Sequence, residues 1–316
     1  MKNNIIPIFF SIDDNYAPFL KIALSSMIEH SNNENEYRIY VLYSKLSNAN
    51  KLDITNFLSH QQNFVCEFID MNSHIAEISD ALFTRDYYSK TTYYRLFIPR
   101  LFPQYNKALY IDSDIIILDD IANLYNIDLG TNLIGATPDE SVQIVPEFIT
   151  YVEKYLDIKH EHYFNAGVIL MNLDELRKFN FEKKFVSLLH QIKFSVAQDQ
   201  DYLNAICKDR VTYIPSVWDK MPFPNSNVKE SDIKLIHYNL TFKPWHYDGI
   251  LYEDIFFKYV DKIGLRDVIN NIKANFTDED KKADQLGGEN LIKKAGELAE
   301  IEDTYANLLK QGKIKF

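Results

Sequence analysis

The sequence predicts an α/β fold built on a mixed, mostly parallel sheet flanked by helices. Two observations predict it. Short apolar runs alternate with amphipathic stretches joined by short connections, the rhythm of strand–helix–strand units. The run Tyr110-Ile111-Asp112-Ser113-Asp114-Ile115-Ile116-Ile117-Leu118 is too short and too rich in Ile for a helix, and reads as a strand buried on both faces. Gly is scarce, 9 residues in 316, which argues against a glycine-rich nucleotide loop.

Residues 5–12 read as the first strand, and Pro18 suits the first turn of a helix over 18–30 with Leu20, Leu24, Met27 and Ile28 at helical spacing. Tyr37 to Tyr43 is a second strand, 48–59 a second helix and Phe64 to Met71 a third strand. Thr91 to Leu101 looks helical and stops before Pro103. The Asp-x-Asp strand follows, and alternation sends Asp112 and Asp114 to one face with Ser113 opposite. Further on, Leu133–Ala136 and Tyr163–Leu173 read as strands, with helices near 146–156, 181–192 and 198–208. Residues 211–217 and 233–238 read as extended, separated by a loop-rich stretch marked by Pro215, Pro222 and Pro224. From Asp278 the chain turns polar, then offers a helix over 289–310 hinged at Gly287-Gly288. The division this predicts is 1–265 and a C-terminal helical extension, 266–316.

The net charge of −11 disfavours nucleic acid and anionic membranes as main partners, so a phosphate-bearing ligand would need a bridging cation. The extension carries basic and acidic residues in nearly equal number. Docking on the main domain or on a second subunit, as a homo-oligomer, is therefore favoured over peripheral membrane contact. Cys66 and Cys207 lack metal-ligand spacing and read as two buried thiols in a reducing compartment. Met1-Lys2-Asn3-Asn4 and the short run after it make no signal peptide, which points to a cytoplasmic protein.

Ionised carboxylates in an apolar strand are costly unless something pairs with them, and a divalent cation is the natural partner for Asp112 and Asp114. The rival readings are an acidic strand end that caps backbone or pairs with Arg, and the aspartyl nucleophile of a haloacid-dehalogenase-type phosphotransferase. That nucleophile normally lies on the chain's first strand. His237 ends the apolar run Ile233 to Ile236, where a neutral imidazole could complete a metal site or simply be a core histidine. Lys243 could neutralise a phosphate. Gln198-Asp199-Gln200-Asp201 opens a helix, either as capping groups or as polar groups aimed at sugar hydroxyls. Phe164-Asn165-Ala166-Gly167 offers close backbone approach to a ligand, or a tight turn.

The ordered set from Phe10-Ser11-Ile12-Asp13-Asp14-Asn15, through Thr91 to Leu96, Tyr110 to Asp114, Tyr163 to Val168 and Gln198 to Asp201, to His237-Tyr238 with Lys243-Pro244-Trp245-His246 closely resembles the family-8 retaining glycosyltransferases. The resemblance covers roughly residues 5–260. It implies a GT-A fold, a UDP-hexose donor (galactose or glucose), a saccharide or glycoprotein acceptor, and Mn²⁺ dependence with Mg²⁺ as the alternative. Position by position it implies Asp112, Asp114 and His237 as metal ligands. Ser113 falls within the metal motif, Asp13 and Asn15 resemble the residues that read uracil, and the Ser11 backbone lies beside them. Arg95, Asn165, Ala166 and Gly167 match positions around ribose, phosphates and sugar. Asp199 matches a residue on the sugar hydroxyls, Gln200 the side chain under the anomeric carbon, and Lys243 the diphosphate lysine. One departure stands out: the family often has Gly three residues after the metal histidine, where this chain has Leu240. A sugar- or nucleotide-binding module that keeps the fold without catalysis is the rival function.

Overall fold

The computed structural model describes residues 4–76, 78, 82, 90–224 and 228–316, so the first three residues of the segment weighed as a signal peptide lie outside it. The chain forms two compact units from interleaved segments: residues up to Asn72 with 108–128 and 215–281, and residues 73–107 with 129–214 and 282–316.

In the first unit, β1 (Asn4–Ser11), β2 (Asn35–Tyr43), β3 (Phe64–Asp70) and β4 (Lys107–Ile111) form a parallel array in the order β3-β2-β1-β4. The register places Ile8 beside Ile39 and Leu109, and Ile39 beside Cys66. Ile6, Ile8, Phe9 and Phe10 are all fully buried, as a strand covered on both faces requires. The helix Ala17–His30 carries its proline in the first turn, where a missing N–H costs nothing. β1 and β4 therefore release Asp13 and Asp112 from the carboxyl ends of neighbouring parallel strands, where α/β sheets bind ligands.

The Asp-x-Asp run is not one strand. β4 stops at Ile111, residues 112–114 turn, and β5 (Ile115–Ile117) pairs antiparallel with β9 (Leu235–His237) in a separate two-stranded sheet. Apolar residues on both sides made the run look continuous, but its halves are buried by different neighbours. Ile116, Ile236 and Tyr238 sit in a core with Phe19, Trp245, Phe256 and Tyr259, and Trp245 stacks on Phe19 at 4.1 Å.

The second unit orders its strands β7 (Val168–Asn172), β6 (Ile134–Ala136), β8 (Val211–Tyr213). β6 runs antiparallel to β7 and parallel to β8, so the predicted mixed, mostly parallel character holds. Residues 163–167, read as strand, lie before β7 and carry only a bridge from Phe164 to Pro138. Thr91–Leu101 forms a 3-10 helix, Lys90–Phe97, then one turn of α-helix, Ile98–Leu101.

The helix expected over 289–310 starts earlier and breaks later, as Asp278–Ala299 and Tyr305–Lys310. Thr277 and Asp280 cap each other reciprocally: Thr277 N donates to Asp280 Oδ2 at 2.7 Å, and Asp280 N to Thr277 Oγ1 at 3.2 Å. That start carries the helix through Gly287-Gly288, each of which costs only about 1 kcal/mol against Ala. A Cβ on Gly288 would meet nothing within 4 Å. Gly288→Ala should therefore stabilise the fold by about 0.5–1 kcal/mol in denaturant titration, an increment that a true hinge would not show. Among the described residues no helix is long and apolar enough to cross a membrane. Both cysteines are free; Cys207 is buried as expected, while Cys66 is only half-buried.

Candidate active site

The candidate side chains fall into two clusters, one in each unit. The first is built by the β5–β9 pairing, which sets His237 directly opposite Ile115. Tyr238 N donates to Asp114 O at 2.8 Å and locks the turn against β9. Ligand atoms of Asp112, Asp114 and His237 consequently lie within 4.8 Å of one another. His237 Nε2 faces Asp114 Oδ1 at 3.4 Å and Asp112 Oδ2 at 3.9 Å, and makes no hydrogen bond among the described residues. Its Nδ1 lies 2.8 Å from Asp219 Oδ1. Tyr110 OH donates to Asp112 Oδ1 at 2.8 Å, and Ser113 is buried within the turn.

Charge balances locally. Burial alone would push the Asp114 carboxyl up, but Lys243 and His237 outweigh it and hold it well below the usual carboxylate range. Burial likewise pulls His237 down, yet Asp219 and Asp114 raise it to about 10. The Lys243 ammonium ion-pairs with Asp114. It is delivered there because Trp245, two residues on, is anchored in the core. Leu240 adopts φ 53, the left-handed conformation in which Gly is free. The chain thus keeps a glycine-like backbone at this position with a residue that strains it by about 1–2 kcal/mol.

Asp13 caps the turn after β1, accepting from Asn15 N at 2.9 Å and Tyr16 N at 3.3 Å, which leaves Asn15 exposed beside it. Ser11 Oγ is buried and makes no hydrogen bond among the described residues.

The second cluster gathers Arg95, Asn165, Ala166, Gly167, Asp199 and Gln200. Asp139 N donates to Tyr163 O and Asn165 N to Thr137 O, both at 2.9 Å, so the carboxyl end of β6 lies along the 163–165 segment. Asn204 clasps Phe164 through both its N–H and its carbonyl at 2.9 Å, which fixes the loop on the helix Asp199–Cys207. Arg95 braces the cluster: Nε lies 3.0 Å from Asp199 Oδ2, and the guanidinium donates to Ala166 O. Asn165 is engaged at both ends, with Nδ2 donating to Asp139 Oδ2 at 3.0 Å and Oδ1 accepting from Gly167 N at 2.7 Å. Gln200 is oriented in the same way, Nε2 donating to Asp139 Oδ2 at 3.0 Å and Oε1 accepting from Ala166 N at 2.9 Å.

The family description Glycosyl transferase family 8 matches residues 7–249 of this sequence. The chain belongs to that family. A putative glycosyltransferase from Haemophilus influenzae is 28% identical over 247 residues, covering 76% of this chain and 72% of that protein. The galactosyltransferase LgtC, solved with donor and acceptor sugar analogues, superposes with a TM-score of 0.67 at 28% identity, over 81% of this chain and 96% of that one. The bifunctional glycosyltransferase WbbM, in its apo form, gives a TM-score of 0.75 at 28% identity over 86% of this chain, which spans about half (52%) of that protein. The fold of this family-8 glycosyltransferase is accordingly GT-A-like.

Reading the sequence missed three residues of these clusters. Asp139, four-fold hydrogen-bonded to Gln200, Asn165 and both the N–H and hydroxyl of Ser141, follows the carboxyl end of β6, a position that itself marks ligand sites in α/β sheets. Asp219 and Asn204 carry no local signal. Asp201, grouped with Asp199 in the same motif, proves to be architectural: it is fully buried and accepts from Tyr163 OH at 2.7 Å, Tyr151 OH at 3.0 Å and Ala197 N at 2.9 Å.

Proposed function

We propose that this family-8 glycosyltransferase moves a hexose, galactose or glucose, from a UDP-sugar to a hydroxyl of a saccharide or glycoprotein acceptor, with retention at the anomeric carbon. The observation that carries the reading is His237 Nε2, a buried nitrogen that makes no hydrogen bond among the described residues and faces two carboxylates. Two hard oxygens and one imidazole suit Mn²⁺ better than Mg²⁺, which prefers oxygen throughout. Asp112, Asp114 and His237 would hold the cation, which when bound supplies Lewis acidity to a diphosphate leaving group.

The chain's own groups do the rest. Lys243 places an ammonium at Asp114, where a second positive charge would meet the departing diphosphate. Asp13, Asn15 and the Ser11 backbone would read the uracil. Asp199, paired with the buried Arg95, would accept hydrogen bonds from the sugar's hydroxyls. Gln200 Oε1, already receiving one N–H, retains a lone pair to offer an oxocarbenium-like carbon. A neutral amide is a poor nucleophile, so the acceptor hydroxyl would attack from the face the diphosphate leaves. The sugar–phosphate C–O bond breaks, the new C–O bond forms, and a phosphate oxygen takes the hydroxyl proton.

Measuring UDP release across a panel of UDP-sugars, with Mn²⁺, Mg²⁺ or chelator, tests this directly. Release from UDP-galactose or UDP-glucose that needs Mn²⁺ is expected. Silence over every donor and acceptor would favour a binding module, and hydrolysis of simple phosphate esters without UDP-sugar turnover would favour the phosphotransferase.

A further inference from the structure

Asp219 belongs to none of the motifs, yet its side chain is fully buried against the metal-site histidine, Oδ1 to Nδ1 at 2.8 Å. The backbone explains the placement. Lys220 N donates to Leu235 O and His237 N to Lys220 O, both at 2.9 Å, so the segment after Trp218 runs alongside β9. An ionised carboxylate can only accept, so an imidazole beside it keeps its hydrogen on Nδ1. When a divalent cation displaces the second proton of the ring, the lone pair is left on Nε2, the nitrogen that faces Asp112 and Asp114. Without that hydrogen bond the ring could turn about χ2 or take the other tautomer, and either change would withdraw Nε2 as a ligand.

We infer that Asp219 is a positioning residue that fixes the tautomer and ring plane of His237, presenting Nε2 to a divalent cation held by Asp112 and Asp114. The inference rests on the metal reading above. Carboxylates that orient ligating histidines in this way typically contribute 10–100-fold to metal affinity. A carboxylate that merely filled space or balanced charge would leave the ligand atoms of the bound ion unchanged.

The test is Mn²⁺ titration of the full chain by electron paramagnetic resonance, with the nuclear modulation from a coordinated imidazole nitrogen recorded on the bound ion. Wild type should bind with a nitrogen signature. Asp219→Ala should bind about 10–100-fold more weakly and lose the signature. Asp219→Asn, whose Oδ1 can still accept from Nδ1, should keep the signature with an intermediate affinity. Unchanged affinity and nitrogen signal in Asp219→Ala would overturn the role of Asp219 and leave the metal site standing. Absence of Mn²⁺ binding, or binding without nitrogen, in the wild type overturns the metal reading and this inference with it. Should the alanine variant not fold, an asparagine variant that binds as tightly as wild type also overturns it.

Discussion

Asp114→Asn should lower Mn²⁺-dependent sugar transfer by at least about 10²-fold, the scale of losing one electrostatic group from a preorganised site. The carboxylate is shared: one oxygen faces His237 Nε2 at 3.4 Å and the other pairs with Lys243. An amide of the same shape removes the charge that both cations answer. Removing one partner of a buried pair typically costs about 3–5 kcal/mol, so part of any lost activity could come from lost fold. Asp114→Asn with Lys243→Met separates the two effects. Taking away the stranded ammonium should recover much of the thermal stability, because neighbouring groups are not additive, while transfer stays dead. Transfer at an undiminished rate in folded Asp114→Asn would remove Asp114 from the metal site.

The contrast between Asp114 and Asp219 shows where the sequence was legible. The alternating first half could be read because β1 pairs with β2 and β2 with β3, each the next strand along the chain, so the strand–helix–strand rhythm is local. Asp112, Asp114 and His237 could be read as candidates because acids and an imidazole at the ends of apolar runs are anomalies of residue type. What could not be read is the partner that buries each run. The stretch Tyr110–Leu118 looks like one strand, yet its second half pairs with β9, some 120 residues away, and only that pairing turns the acids toward the histidine. Asp219 becomes meaningful through the same distant register. Gly287-Gly288 misled for the opposite reason: a local rule about glycine was outweighed by a capping box ten residues upstream.

Gln200→Ala should depress kcat by at least about 10²-fold while leaving UDP-sugar affinity nearly unchanged. The side chain is held at both ends, by Asp139 at 3.0 Å and by the Ala166 N–H at 2.9 Å, so its orientation is set before any ligand arrives. Preorganised dipoles of this kind act on charge that develops in the transition state and gain little from the ground state, which is why the loss should fall on kcat. Deleting the amide removes one of two donors to Oδ2 of the buried Asp139, which still accepts from Asn165 Nδ2 at 3.0 Å. The scaffold around the site should therefore survive the substitution. Collapse of UDP-sugar binding in place of kcat would mean that Gln200 positions the donor and contributes nothing specific to the reacting carbon. Pre-steady-state measurement of UDP release, with donor affinity taken separately by calorimetry, distinguishes the two outcomes, because only a group that acts in the transition state changes the chemical step at saturating donor.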